Sequence, residues 1–255
     1  MLPCWTPWAV GGGLVEVDPG AVTLLLPGAS NKQYADAQVS DYAGLPRRSF
    51  PWRPPVRLRV RACASGGGDS LRGTAGFGLW NDPFLPGRIG LPKLPRAAWF
   101  FFGSPPNNMP LAVGQAGHGW KAATFGPTIS FWALLPLAPL GLLLMRVPAL
   151  YRRFWPVGQR ALGVAETALP GDLLAAPHEY TLEWRADRVT FAVDGETVLT
   201  TGRSPRGSLG FIAWIDNQYM IVTPQGCFGW GVLACGEQWL RLERITIEAL
   251  TSATT

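Results

Sequence analysis

"HEYTLEWRADRVTFAVDGETVL", His178–Leu199, is the stretch from which the rest of the chain can be read. Tyr180, Leu182 and Trp184 fall on one face and Thr181, Glu183 and Arg185 on the other, the period of two of a half-buried strand. Ala186-Asp187 supplies a turn, after which Val189, Phe191 and Val193 resume the apolar face. Asp194-Gly195 turns the chain again with a dipeptide that accepts the left-handed backbone of a tight hairpin. The segment is therefore expected to be antiparallel β-structure with one face in a core.

The same pattern recurs outward from it. In "PPVRLRVRACAS" (54–65) Val56, Leu58 and Val60 alternate with Arg57, Arg59 and Arg61, which reads as a strand with a solvated basic face. "GLVEVDPGAVTLLLP" (13–27) holds two short strands around Asp18-Pro19-Gly20, where Pro presets φ and Gly accepts a positive one. In "TAGFGLWND" (74–82) Gly76 and Gly78 alternate with larger residues, a sign that another backbone or a ligand approaches the strand closely. "RAAWFFFGSPP" (96–106) and "SLGFIAWIDNQY" (208–219) are further strands, and "QWLRLERITIEAL" (238–250) is a closing one. In that last strand the apolar spacing slips by one at Glu243-Arg244, which predicts a bulge.

Composition agrees. The chain has 255 residues, 47% of them hydrophobic and 15% charged, with 31 Gly, 24 Pro and 12 Trp, as in folds of many short strands and turns. There is no internal repeat and no linker, so a single domain over 1–255 is expected. The net charge of +5 comes with no zinc-finger or RNP signature, and no nucleic-acid partner is expected. Cys4, Cys63, Cys227 and Cys235 form no Cys-x-x-Cys pair and are expected to be reduced, mostly buried thiols. The start "MLPCWTPWAVGGG" lacks the basic and apolar regions of a signal peptide, which leads to an expected cytoplasmic location, peripheral on a membrane if the apolar stretch below contacts one.

His178, Tyr180, Trp184, Val193, Asp194 and Gly195 carry a resemblance to family 16 glycoside hydrolases, in the concanavalin A-like lectin/glucanase superfamily. "VRLRVRACA…GFGLW" and "LRLERITI" resemble strands of that family as well, so the likeness covers roughly half of the chain. It implies an all-β, two-sheet antiparallel jelly-roll sandwich with a ligand cleft on its concave face. The family's catalytic strand reads Glu-x-Asp-x-Glu, which sets three carboxylates on one face of a strand. The corresponding strand here is expected to be "RAAWFFFGSPP", which has none and offers Trp99, Phe100, Phe101 and Phe102 instead. The resemblance thus supports the fold and argues against the family's usual chemistry.

Candidate chemistry lies elsewhere. "GLWNDPF" sets Asp82 beside Trp80 and Asn81, and "WIDNQY" sets Asp216 between Trp214 and Asn217 with Tyr219 nearby. A carboxyl in an aromatic pocket tends toward a raised pKa and can donate a proton; Asn-Asp-Pro is equally a strong turn sequence. "GHGWKAA" adds His118, Trp120 and Lys121 on a glycine-flanked segment. Asp82, Asp216 and His118 are the candidate catalytic groups; Trp80, Asn81, Trp99, Phe101, Trp120, Lys121, Trp214, Asn217 and Tyr219 are the candidate ligand contacts. Two histidines give no His-rich metal site, so no metal is expected; a carboxylate-bound Ca²⁺ stays open although no EF-type loop appears, and no phosphate- or dinucleotide-binding fingerprint calls for a cofactor.

"ISFWALLPLAPLGLLLMRVPALYRRFWP" (129–156) stands apart. Its apolar run approaches the minimum for a membrane span, but Pro136, Pro139 and Gly141 interrupt it, and one crossing cannot return the chain to the same sandwich. Two readings remain open. One is a buried, partly helical insertion within 126–175. The other is a monotopic element, with Leu142 and Leu143 in the acyl boundary, Arg146, Arg152 and Arg153 at anionic headgroups and Trp155 at the interface. A flap over the cleft fits the composition as well.

These readings lead to two expectations. The first is a cleft that binds a hydrophobic ligand (a lipid, isoprenoid or glycolipid), transforms it by acid/base chemistry if it is an enzyme at all, and acts beside an anionic membrane surface. The second is a carbohydrate-binding protein, or a glycoside hydrolase with relocated carboxylates.

Overall fold

The computed structural model describes residues 5–83 and 94–251; Cys4 lies outside them. Among the described residues the order is β1 (Thr6–Val10), β2 (Leu14–Asp18), β3 (Ala21–Leu26), β4 (Asp36–Ser40), β5 (Val56–Ala64), β6 (Thr74–Trp80), β7 (Ala97–Gly103) and β8 (Gly119–Phe125). Helices α1 (Ile129–Leu134), α2 (Ala138–Leu144) and α3 (Pro148–Leu162) come next. The chain ends with β9 (Ala165–Leu169), β10 (His178–Trp184), β11 (Val189–Val193), β12 (Glu196–Thr201), β13 (Gly210–Asp216), β14 (Gln218–Val222), β15 (Phe228–Val232) and β16 (Gln238–Ala249).

The strands form two seven-stranded sheets and a two-stranded ribbon. The first sheet runs β1-β4-β13-β6-β7-β8-β9 and the second β12-β11-β10-β5-β16-β3-β2, with β14-β15 as the ribbon. Neighbours within each are antiparallel, for example β6 with β7 and β5 with β10. This is the all-β jelly-roll sandwich expected from the sequence.

Period-two alternation builds the core between the sheets. Ala75, Phe77 and Leu79 of β6 and Ala98, Phe100 and Phe102 of β7 face Val56, Leu58 and Val60 of β5 and Tyr180, Leu182 and Trp184 of β10, all buried. Aromatic rings join the layers. Phe77 meets Tyr180 edge-on at 5.3 Å, and Phe100 meets Tyr180 at 5.0 Å and Phe191 at 5.3 Å. Such edge-to-face pairs add to the burial of their area. Outward, Arg57 pairs with Glu183 at 2.6 Å on the solvated side of β5 and β10.

The hairpin forms as its sequence predicts. Tyr180–Trp184 pairs with Val189–Val193, and Arg185–Arg188 makes the turn, closed by a bond from the Arg185 amide to the Arg188 carbonyl. At the second turn Asp194 and Gly195 take φ of 51° and 84°. The Asp194 carboxylate accepts a bond from the Glu179 amide and lies 2.5 Å from His178 Nδ1. Both contacts favour its ionised form and hold its pKa below the ordinary value. The bulge expected in β16 is present, with the register shifting between Glu243 and Thr246 and Arg244 at φ 51°.

Two expectations change. Cys63 and Cys235 are half-buried and Cys227 is exposed; all three are free. The apolar insertion ends near residue 164, because β9 pairs with β8 as an edge of the first sheet and Leu174 is buried in the sandwich. Within the insertion Pro136 lies in a 3-10 turn and Pro139 in the first turn of α2, so the apolar run is broken into short helices. No described helix is long and apolar enough to cross a membrane.

Candidate functional site

The face of the first sheet turned away from the core carries an aromatic floor. Register places Trp214, Gly76 and Phe101 in one cross-strand row, and Ile212, Gly78 and Trp99 in the next. Trp99 lies 5.5 Å from Trp214, 5.8 Å from Phe101 and 6.2 Å from Trp80, ring centre to ring centre. Buried Tyr42 and Phe50, stacked at 4.4 Å, pack against one side of this cluster. Tyr42 also accepts a 2.5 Å hydrogen bond from Trp80 Nε1.

The glycines of β6 make room for these rings. A Cβ on Gly76 would sit 2.8 Å from the Trp214 ring, and one on Gly78 would sit 2.6 Å from Trp99. The close approach expected from the sequence is first that of the neighbouring backbone: the same Cβ atoms would lie 2.4 Å from the Phe100 carbonyl oxygen and 2.5 Å from that of Ala98. Trp80, Trp99 and Phe101 remain partly exposed, which leaves ring surface for a ligand. The residues of β7 on this face are Ala97, Trp99, Phe101 and Gly103, so this strand presents no carboxylate there.

One end of the floor holds a pair of acids. Asp216 of β13 stands directly across from Asp36 of β4, with side chains 1% and 3% exposed for Asp36 and Asp216. The Asp216 carboxylate accepts bonds from the Thr74 hydroxyl at 2.9 Å, the Thr74 amide at 3.2 Å and the Gln218 amide at 3.1 Å. Trp214 Nε1 in turn donates to the Thr74 hydroxyl at 2.9 Å and ties the pair to the floor. Burial pushes Asp216 up to about 7, against those donors. Burial, and then the charge of Asp216, push Asp36 up to about 8; the Tyr34 hydroxyl and the Ala37 amide lie near enough to oppose this, but neither carboxyl oxygen is in hydrogen-bond geometry with a described residue. Burial and the two carboxylates likewise raise the Tyr34 phenol. Burial and the facing acid both favour the protonated form of Asp36.

A second buried charge pair lies across the sheet. Lys121, in the row of Phe101, sits 3.0 Å from Glu166 of β9. Glu166 also accepts bonds from the Leu111 and Ala112 amides at 2.9 and 2.7 Å, and the Lys121 ammonium donates to the Ala116 carbonyl.

Other residues proposed from sequence fall elsewhere. Trp120 points into the core against Phe100 and Tyr180, because its position on β8 has the opposite parity to Lys121. Asn81 is a structural pin: its amide donates to the Leu94 carbonyl at 3.1 Å and accepts from the Arg96 amide at 2.8 Å. Asn217 is fully buried, donating to the Ser30, Gln33 and Leu233 carbonyls and accepting from the Ala35 amide. Tyr219 is on the ribbon, with its ring over Gly231.

Asp82 is buried at φ 42°, beyond the far end of β6 from Asp216. The length of β6 between them is roughly 20 Å at the rise of a strand, so the two cannot act on one bond. His118 is exposed on the loop into β8, three strand spacings from Asp216, or about 14 Å. Leu143, Arg146, Arg152 and Arg153 are exposed, Leu142 is half-buried, and Trp155 is half-buried with its indole donating to the Leu111 carbonyl at 3.1 Å. The sequence reading missed Asp36, Tyr34, Tyr42 and Glu166. The alternation of Asp36, Gln38 and Ser40 with Ala37 and Val39 was the available signal for the first.

No family model matches the chain, and no curated protein matches it either. Solved structures do. A legume lectin-like domain from Entamoeba histolytica matches at a TM-score of 0.52 and 6% identity, over 97% of this chain and 90% of its own. A β-glucanase from Bacillus licheniformis matches at 0.50 and 10% identity, over 98% of this chain and 94% of its own. A sialidase matches at 0.46 and 9% identity over 96% of this chain, which spans only 17% of that protein's length. The fold of this chain is that of the concanavalin A-like lectins and glucanases.

Proposed function

We propose that this protein binds a carbohydrate on the outer face of its first sheet. The observation that carries the reading is the partly exposed floor of Trp80, Trp99 and Phe101 over Trp214. Apolar C–H faces of sugar rings stack on such surfaces, and the lectin-like domain and β-glucanase of like fold bear carbohydrate names. The site is read as binding, not cleavage. The β7 face lacks carboxylates, and Asp36 and Asp216 are buried beneath the surface.

The test is an oligosaccharide array followed by calorimetry on the best ligand. Trp99→Ala should weaken binding about tenfold, the scale of one aromatic contact, with the fold intact by circular dichroism. Absence of binding to any glycan, or equal affinity in Trp99→Ala, would refute the reading. No reducing sugar should be released.

A second reading keeps the hydrophobic ligand. An apolar cavity of about 370 Å³ lies among α1–α3, lined by residues such as Phe131, Leu134, Leu142, Met145 and Trp155. It is in the insertion rather than on the aromatic floor. A lipid retained by the purified protein in native mass spectrometry would support it.

A further inference from the structure

From Pro83 to Ala165 the sequence contains no Asp or Glu but eight Lys or Arg. The helical insertion lies in this acid-free run. Helices α1 and α2 bury no residue at all. Ile129 is 87% exposed, and Trp132, Leu140 and Leu143 are exposed as well. Arg146, Arg152 and Arg153 stand among them on the surface and form no ion pair among the described residues.

The ribbon β14-β15 adds a second apolar surface. Met220 pairs with Trp230 and Val222 with Phe228 across its strands, so all four side chains share a face. That face is bare: Trp230 is 81% and Phe228 66% exposed. On the other face Tyr219 and Ile221 lie against Gly231 and Gly229. The turn of the ribbon rests on the insertion, with Gly226 beside Leu142 and Pro224 lining the apolar cavity. Two segments remote in sequence thus adjoin. Scattered exposed leucines need no explanation, but a joined set with tryptophans marks an interaction surface.

We infer that α1–α3 and the β14-β15 ribbon dock this protein on the surface of an anionic lipid bilayer. The charges choose between occupants. A symmetric contact with a second copy would bring two sets of Arg146, Arg152 and Arg153 together, with no acid in the insertion to pair them. A layer of anionic headgroups neutralises the arginines, while the leucines enter the acyl boundary and Trp132 and Trp230 take the interface. The short helices lie in the plane of the membrane; none described could cross it.

Flotation with phosphatidylcholine vesicles, with and without phosphatidylglycerol, tests this on the full chain. The protein should float with the anionic vesicles at low salt and be released in part at high salt. Arg152→Glu/Arg153→Glu should weaken partitioning at least about tenfold, as expected where each basic residue near the surface counts. Phe228→Ser/Trp230→Ser should weaken it similarly, with an unchanged melting midpoint because both side chains are exposed. Should either variant misfold, the lipid and salt dependence of the wild type decides. Failure to float, or equal flotation with neutral vesicles, would overturn the inference. So would a concentration-dependent dimer abolished by Phe228→Ser/Trp230→Ser, or stoichiometric capture of monomeric lipid without vesicle binding. None of these outcomes bears on glycan binding at Trp99.

Discussion

Replacing Asp36 by asparagine should favour the variant over the wild type increasingly as the pH rises above about 4. In the unfolded chain Asp36 titrates near its ordinary value of 3.8, whereas in the fold it is pushed up to about 8. Below pH 4 both states hold the proton and the group contributes no difference. Between about 4 and 8 the unfolded chain releases it while the native state keeps it, so the wild type loses stability with rising pH. At 1.36 kcal/mol per pKa unit the loss is on the order of 5 kcal/mol by pH 8. Asparagine cannot ionise, and any cost of burying its amide, roughly 1–2 kcal/mol, is the same at every pH. The stability difference between Asp36→Asn and wild type should therefore be near zero or slightly unfavourable at pH 4 and favour the variant by several kcal/mol at pH 8. Equilibrium urea unfolding at pH 4, 6 and 8 and constant ionic strength measures it. A difference that stays flat across this range would show that Asp36 titrates normally in the fold, and that the acid pair is not as dry as its burial indicates.

Two further substitutions probe the frame around the site. Gly195→Val should cost about 1–2 kcal/mol in thermal unfolding, because φ there is 84° while the space around a Cβ is open, so the penalty is one of backbone alone. Lys121→Met should cost about 3–5 kcal/mol by leaving Glu166 buried without its cation, and Lys121→Met/Glu166→Gln should recover part of that. A double variant as unstable as the sum of its parts would mean that the two charges are not coupled.

What could be read from the sequence was what is local. The hairpin of β10 and β11, the basic face of β5 and the bulge at Arg244 follow from period-two alternation and turn dipeptides, which need no knowledge of neighbours. The site depends on neighbours. Trp99 and Trp120 have the same chemistry, but one lies on the aromatic floor and the other in the core, and only the register of β7 with β8 decides which. Asp216 was visible as an acid beside a tryptophan; its partner Asp36 comes from a strand near the other end of the chain, brought alongside by sheet order. Asp82 drew attention for the same local reason as Asp216, yet it closes the opposite end of β6. The apolar insertion could not be placed from composition, since a buried helix and a surface helix of leucines read alike until their surroundings are known.

The position of β16 has a consequence for how the protein is made. This strand lies inside the second sheet, between β5 and β3, and it is the last of the strands described. During synthesis the chain emerges from its first residue onward, so β10, β11 and β12 can join β5, and β2 can join β3, while the seam between the two groups stays open. Until Gln238–Ala249 leaves the ribosome, the nascent sheet presents two unpaired edges, and Leu24 of β3 and Leu58 of β5 lack their cross-strand neighbours Leu240 and Ile247. Completion of the second sheet is thus deferred until β16 has emerged, and the interval before it is when the two edges are open to wrong pairing.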